Sequence, residues 1–262
     1  MKDVQNLTDT RGIAIQKVGV SEVHLPFLIQ TKAGDFQSVL AKIKLTVSLP
    51  EEFKGTHMSR FIEILSEWSQ HPLSNGEMES ILRDTLSKLH AQSAELVIRF
   101  KYFLEKTAPV SGLKSMLDYD CSFCGRMQLG GKMEFTMGIV VPFTSLCPCS
   151  KEISAYGAHN QRGMMRVQIR QQGEAFTWIE DLAVLLEQQG SCPVYPLLKR
   201  EDEKFVTEKA YENPKFVEDV LRDLVLELRK LPQIEWFQVE CENYESIHNH
   251  SAYASHIEQI DG

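Results

Sequence analysis

The sequence lacks any apolar run that approaches the roughly 20 residues needed to cross a lipid bilayer. Its first six residues also lack the apolar stretch of a secretory signal. We therefore expect a cytoplasmic protein, in which the six cysteines are thiols or metal ligands rather than disulfides.

The sequence also lacks a surplus of positive charge, since 28 Lys and Arg against 36 Asp and Glu give a net charge of −8. This balance disfavours a general nucleic-acid binder, which needs a basic face to neutralise phosphates. A local cluster of cations can still bind a small anion. What remains is an ordinary globular composition, with 262 residues that suffice for one large domain or two smaller ones.

Hydrophobic periodicity predicts the order strand, strand, helix, helix, strand, strand, and predicts it twice. The first copy has strands at 15–28, 36–49, 94–103 and 110–123, and helices at 61–68 and 78–89. The second has strands at 133–143, 164–171, 234–243 and 251–257, and helices at 178–188 and 213–230. This predicts an α+β chain with two tandem ββααββ modules, at 1–129 and 130–262, each an antiparallel sheet with helices on one face.

The segment from Thr144 to Gly163 contains the densest chemistry. Pro148 stiffens the pair Cys147 and Cys149, and His159 follows after a bend expected at residues 156–157. Thiolate and imidazole are common ligands of zinc and similar ions, so Cys147 and His159 are candidate ligands. The alternative is that the cysteines are small buried residues and His159 has no metal.

A third ligand is needed, and the charged run at 197–205 offers Glu201, Asp202 and Glu203. Composition does not choose among these three carboxylates, and a solvated charge run is the alternative. Near the C-terminus, His248 and His250 are one residue apart, which on a strand would point both rings the same way. Such a pair suits metal binding or general acid–base catalysis, and a polar surface is the alternative.

Cations precede the first predicted helix, where Thr56 or Ser59 is expected as the cap. Lys54, His57 and Arg60 would then lie near free N–H groups that favour an anion, or would be solvated charges at an ordinary helix start.

Several runs of sequence together resemble the type IB GTP cyclohydrolases, an alternative bacterial and archaeal form of the first enzyme of folate synthesis. The runs are 54–61, 106–112, 117–120, 144–162, 206–219 and 245–253. The resemblance implies the tunnelling fold, with two ββααββ modules per chain. It also implies a homotetramer with active sites at subunit interfaces.

The resemblance further implies hydrolysis of GTP to 7,8-dihydroneopterin 3'-triphosphate and formate. The metal ligands would be Cys147, His159 and Glu203, holding one divalent ion of Zn, Mn or Fe. A water bound to that ion would be activated to attack C8 of guanine. Glu218 would anchor the guanine through two parallel hydrogen bonds.

The resemblance makes His248 the general acid and base, with His250 in support. Cys149 would relay protons or tune the metal. The candidate cations for the triphosphate are Lys54, His57, Arg60, Lys106, Lys151 and Arg162.

Two other functions remain open. One is an enzyme of the same fold acting on another purine or pterin, such as a nitrile reductase or pterin synthase relative. The other is a non-catalytic binding module stabilised by zinc on Cys121, Cys124, Cys147 and Cys149, although Cys121 and Cys124 are expected to be incidental thiols.

Overall fold

The structure, a computed structural model, describes residues 8–172 and 176–260. No helix in these two ranges combines the length and the hydropathy needed to span a membrane.

Two compact units make up the chain. The first unit comprises the chain up to Lys101 and Ser122–Met137, and the second comprises Tyr102–Cys121 and the chain from Gly138 onward. The strands β4 (Ser93–Thr107), β5 (Lys114–Gln128) and β6 (Glu134–Leu146) each contribute residues to both units. The expected modules 1–129 and 130–262 follow chain order instead, and that division stays a prediction.

The first unit is built on an antiparallel hairpin whose strands follow the predicted pattern. The hairpin is formed by β1 (Ile15–Gln30) and β2 (Phe36–Leu49). The unit also contains α1 (Met58–Trp68), β3 (Pro72–Leu73) and α2 (Asn75–Leu89). Alternate residues of β2 from Val39 to Val47 are buried, as the period of two predicted. Helix α1 has His57 at its N-cap position, so the expected cap by Thr56 or Ser59 is wrong.

The second unit contains the candidate site. Its other elements are α3 (Pro148–Ile153), β7 (Asn160–Gln171), α4 (Ile179–Glu187), β8 (Cys192–Pro193), α5 (Arg200–Glu212), α6 (Val217–Arg229), β9 (Ile234–Asn243) and β10 (Ala252–Gln259). The strands are hydrogen-bonded in the order β10-β9-β7-β6-β5-β4-β2-β1-β3, with β8 paired to β6. The α+β class is therefore confirmed.

The sequence does not predict helix α5, because the charged run at 197–205 lies between the two helices predicted for the second module. The helix forms because Asp202, Val206 and Ala210 recur every four residues on one side of it, and Asp202 and Ala210 are buried there. The N–H of Lys199 donates to Oδ2 of Asp202 at 2.8 Å, which satisfies a donor at the start of the helix.

Candidate functional site

The connection between β6 and β7 brings Cys147 and His159 side by side. The backbone N–H of Cys147 donates to the carbonyl of His159 at 3.1 Å. The Ser150 hydroxyl reinforces this contact, since Oγ donates to the Cys147 carbonyl and accepts from the His159 N–H, both at 3.2 Å. Gly157 bends the segment with a φ of 139°, a conformation that favours glycine. The expected bend at residues 156–157 and the approach of the two candidate ligands are both present.

The Cys147 side chain occupies the N-cap position of α3 and is half-buried. Its Sγ accepts a hydrogen bond from the backbone N–H of Ser150 at 3.4 Å. This hydrogen bond fixes the position of Sγ at the start of the helix. Cys149 lies on α3 two residues further on and is exposed.

One nitrogen of the half-buried His159 ring is engaged by the protein. Its Nδ1 lies 3.0 Å from Oε1 of Gln161 and 3.2 Å from Oγ of Ser246. Hydrogen bonding at one ring nitrogen orients the imidazole and leaves the other for a metal. Nε2 of His159 is therefore the candidate donor atom.

Glu203 does not join these two residues in this arrangement. Across residues 8–172 and 176–260, no three His, Cys, Asp or Glu side chains lie close enough to hold one ion. Glu203 lies in the first turn of α5 and is exposed. Cys147 and His159 carry donor atoms that suit a metal and are in backbone contact, whereas Glu203 is not grouped with them.

A cavity of about 380 Å³ is lined in part by Gln161, Arg162 and Thr207, and Gln161 also contacts His159. Helix α5 lines it through Val206, Thr207 and Ala210. On a helix, the residues at positions i+3, i+4 and i+7 share a face with residue i. Glu203 therefore lies on the face of α5 that borders this cavity, one turn before Val206 and Thr207.

Asp202 is excluded as an alternative metal ligand, because four hydrogen-bond donors already occupy its carboxylate. Oδ1 accepts from the N–H groups of Val110 and Ser111 at 2.8 and 2.9 Å. Oδ2 accepts from Oγ of Ser111 at 2.6 Å and from the N–H of Lys199 at 2.8 Å. Burial alone would raise the pKa of Asp202, but these hydrogen bonds hold it well below its ordinary value. Its function is to fix the start of α5 to the loop after β4.

His248 and His250 lie in the connection between β9 and β10, so the expectation that they point the same way along a strand is wrong. Their rings are nevertheless stacked, with centroids 5.0 Å apart and planes at 22°. Both side chains are exposed. The pair therefore forms through the path of the loop rather than through strand alternation.

Glu218 is exposed in the first turn of α6. Val217 and Val220, on either side of it, are buried and hold this turn against the protein. Phe216, immediately before this turn, is 41% exposed.

The candidate phosphate-binding cations have different surroundings. Lys106 pairs with the buried carboxylate of Glu187, and Nζ lies 5.6 Å from the ring centroid of Tyr195. Nζ of Lys151 donates to the Tyr211 carbonyl at 2.5 Å, whereas Arg162 is exposed at the edge of the cavity.

Three further candidate cations lie in the first unit. Lys54 precedes α1, and His57 is its N-cap residue. Arg60 is in the first turn of α1 and donates to the Lys88 carbonyl at 3.2 Å.

Sequence reasoning missed a buried polar group around Glu187, which is 3% exposed. Its carboxylate accepts from the Tyr119 hydroxyl as well as from Lys106. Burial, together with the hydrogen bond to Glu187, raises the pKa of Tyr119 far above its ordinary value. The sequence signal was weak, because Glu187 ends a predicted amphipathic helix and its partners are distant in the chain.

The family model and the similar curated proteins all point to one family. Residues 1–254 match the family model described as type I GTP cyclohydrolase folE2. The chain is 53% identical over 255 residues to GTP cyclohydrolase FolE2 of Citrifermentans bemidjiense, covering 97% of this chain and 94% of the relative. It is 53% identical over 259 residues to GTP cyclohydrolase FolE2 of Geobacter sulfurreducens, covering 99% and 98%.

Among solved structures, uricase from Arthrobacter globiformis superposes with a TM-score of 0.58 at 9% identity, covering 94% of each chain. An identity this low establishes the fold alone, which is the tunnelling fold expected above. The family follows from the match of the sequence over nearly its whole length, and this chain is a member of the FolE2 family of type I GTP cyclohydrolases.

Proposed function

We propose that the chain hydrolyses GTP to 7,8-dihydroneopterin 3'-triphosphate and formate, the first step of tetrahydrofolate biosynthesis, with one divalent ion at each active site. Membership of the FolE2 family supports the reaction. The approach of Cys147 and His159 is the observation that carries the proposed metal site. When bound, the ion would lower the pKa of a water molecule so that it can attack guanine C8.

Glu203 is proposed as the third ligand, and its side chain must turn towards the cavity to reach the other two. Its position on the cavity face of α5 supports this assignment, and the anchoring of neighbouring Asp202 keeps the helix start in place. A carboxylate beside one thiolate makes a harder site than two thiolates, so Zn²⁺, Mn²⁺ and Fe²⁺ are all suitable ions.

The assignment is tested by measuring bound Mn²⁺ in Glu203→Ala against Glu208→Ala, which changes an exposed glutamate of the same helix. We expect loss of the ion only in Glu203→Ala. Mixed oligomers of Cys147→Ala and Glu203→Ala chains should stay without metal if both ligands come from one chain. Recovery of metal would mean that a neighbouring chain supplies Glu203.

Glu218 is proposed to bind the guanine edge by accepting from N1–H and the 2-amino group. The buried residues on either side of it keep this turn of α6 rigid, and its own exposure leaves the carboxylate accessible. A carboxylate that accepts two parallel hydrogen bonds distinguishes guanine from adenine, whose edge presents the opposite pattern.

His248 is proposed as the general acid and base for opening the imidazole ring and releasing formate, with His250 stacked beside it. Cys149 is proposed to relay protons near the metal, because it is exposed on α3 two residues from Cys147.

For the triphosphate, Arg162 is the best-supported cation, since it is exposed at the cavity edge. Lys151, Lys54, His57 and Arg60 remain candidates, and Lys106 would first have to leave Glu187. A homotetramer with active sites at subunit interfaces and a cytoplasmic location are proposed from the resemblance and the sequence.

Product analysis tests the function. Incubation of GTP with protein and Zn²⁺, Mn²⁺ or Fe²⁺ should release equal amounts of formate and a pterin that fluoresces after oxidation and dephosphorylation. Turnover of another purine or pterin in place of GTP would contradict the proposal. Cys124→Ala is the control for the zinc-module alternative, and loss of metal in that variant would favour a structural site.

A further inference from the structure

The side chain that contacts His159 is itself held in a defined orientation. Gln161 lies on β7 and is 8% exposed. Its Oε1 lies 3.0 Å from Nδ1 of His159, and its Nε2 donates to Oε1 of Glu245 at 3.4 Å. The amide of Gln161 therefore connects the imidazole to a carboxylate that is distant in the sequence.

This connection follows from the pairing of β7 with β9. Gly163 pairs with Asn243 across the two strands, and the N–H of Tyr244 donates to the Arg162 carbonyl at 2.9 Å. The chain leaving β9 is thereby held beside the start of β7. Glu245 reaches Gln161 because the strand register brings these two segments together.

The chemistry of the three groups selects one orientation of the amide. A carboxylate only accepts hydrogen bonds, so the NH₂ group of Gln161 must face Glu245. Its oxygen then faces His159 and accepts from an Nδ1–H group. The reversed amide would place two acceptors against each other at Glu245, which is unfavourable.

We infer that Gln161 is a positioning residue that fixes the Nδ1–H tautomer of His159 and so leaves Nε2 unprotonated for the metal, with Glu245 orienting the amide. This rests on the proposed role of His159 as a ligand. The Ser246 hydroxyl, 3.2 Å from Nδ1, can accept from the same N–H. Because Glu245 and Ser246 begin the loop that contains His248 and His250, the same contacts tie that loop to the metal ligand.

The tautomer is measured directly by ¹⁵N NMR of the imidazole in the metal-free, full-length protein. The His159 signals are assigned by their loss in His159→Ala. We expect Nδ1–H in the wild type. Gln161→Leu should shift the signals to the Nε2–H form, whereas Gln168→Leu, which changes an exposed glutamine of the same strand, should leave them unchanged.

A second variant separates positioning from folding. Exchanging the two groups in Gln161→Glu with Glu245→Gln places a carboxylate next to Nδ1 and an amide behind it, so the Nδ1–H form should return. Glu245→Gln alone lets the Gln161 amide turn, and both tautomers should appear. An Nδ1–H signal that survives Gln161→Leu, or an exchanged pair that does not restore it, would overturn the inference.

The consequence for metal binding is measured with Mn²⁺ alone. Partners of a ligand typically account for about 10–100-fold in metal affinity, and Gln161→Leu should weaken Mn²⁺ binding to that extent. The exchanged pair should recover most of the loss. Unchanged affinity in Gln161→Leu would contradict the inference. Since neither measurement uses GTP, the result is independent of whether the proposed reaction occurs.

Discussion

Each of the two compact units buries a carboxylate, but the hydrogen-bond donors that surround the carboxylate differ between the units. In the first unit, Glu95 is 8% exposed and accepts from Lys17 and Arg126 at 2.6 and 2.7 Å, so two cations balance it. In the second unit, Glu187 accepts from the Tyr119 hydroxyl and from Lys106.

In the second unit, the connection between β6 and β7 brings Cys147 and His159 into backbone contact. The active residues of a protein are commonly placed on connections that a rigid framework positions. The candidate metal site therefore lies on a connection of the second unit.

The largest predicted effect is on metal binding in the second unit. Cys147→Ala and His159→Ala should each lose bound Mn²⁺ and lower kcat/KM by more than about 100-fold, since even partners of a ligand account for 10–100-fold. Cys124→Ala, in the first unit, should keep both the ion and the activity. Metal loss in Cys124→Ala would contradict the assignment of the metal site to the second unit.

Changing the proposed guanine anchor should separate substrate binding from metal binding. Glu218→Gln should retain Mn²⁺ and weaken GTP binding by about 100-fold, because a hydrogen bond to a charged group contributes about 1.5–3 kcal/mol and one of two becomes a donor–donor contact. Glu227→Gln, in the last turn of the same helix, is the control and should bind GTP normally. Equal affinity in the two variants would remove Glu218 from the site.

A close approach between strands in the second unit should make one glycine essential for stability. A Cβ at Gly163 would lie 2.4 Å from Cζ of Phe143 and 2.6 Å from Oδ1 of Asn243. Gly163→Ala should therefore destabilise the protein by about 1–3 kcal/mol in urea unfolding, as expected for an overpacked interior. Gly76→Ala in the first unit, where a Cβ meets Ser74 Oγ at 3.7 Å, should be neutral or stabilising. Equal changes would contradict the packing argument.

The smallest predicted effects are on the pH dependence of stability. The first unit should lose stability at low pH and the second at high pH. Burial would raise the pKa of Glu95, but hydrogen bonds from Lys17 and Arg126 hold it below its ordinary value of 4.5. Stability from Glu95 is present above that value and is lost as the pH falls below it. Burial and Glu187 raise the pKa of Tyr119 above 10.0, so its contribution is present below that pH and is lost above it.

Unfolding free energies measured across pH should therefore decline at both extremes. Glu95→Gln should flatten the acid side and Tyr119→Phe the alkaline side. A variant that flattens the opposite side would show that the burial or the partners of its group are assigned incorrectly.

The sequence predicted the regular elements where local periodicity is strong. Alternation in β2 and the bend near Gly157 were both correct. Helix α5 was missed because its inner face includes Asp202, a charge that is buried only because the loop at Val110 and Ser111 supplies donors. That loop is about 90 residues away in sequence, so no local pattern reveals the compensation.

The candidate site was predictable in part. The residues of the 144–163 segment predicted that Cys147 and His159 approach each other, and the structure has them in contact through their backbones. The link from His159 to Gln161 and Glu245 was missed. His159 immediately precedes β7, so a two-residue spacing at the start of that strand could have paired it with Gln161. The contact with Glu245 depends on the register between β7 and β9, which is a property of the folded sheet.

The most direct test of the metal site uses Co²⁺, because a thiolate bound to Co²⁺ gives an absorption band in the near ultraviolet. Wild type and Cys149→Ser should both show the band after titration with Co²⁺, and Cys147→Ser should lose it. A band that persists in Cys147→Ser would mean that this thiol does not hold the ion, and would contradict the proposed centre.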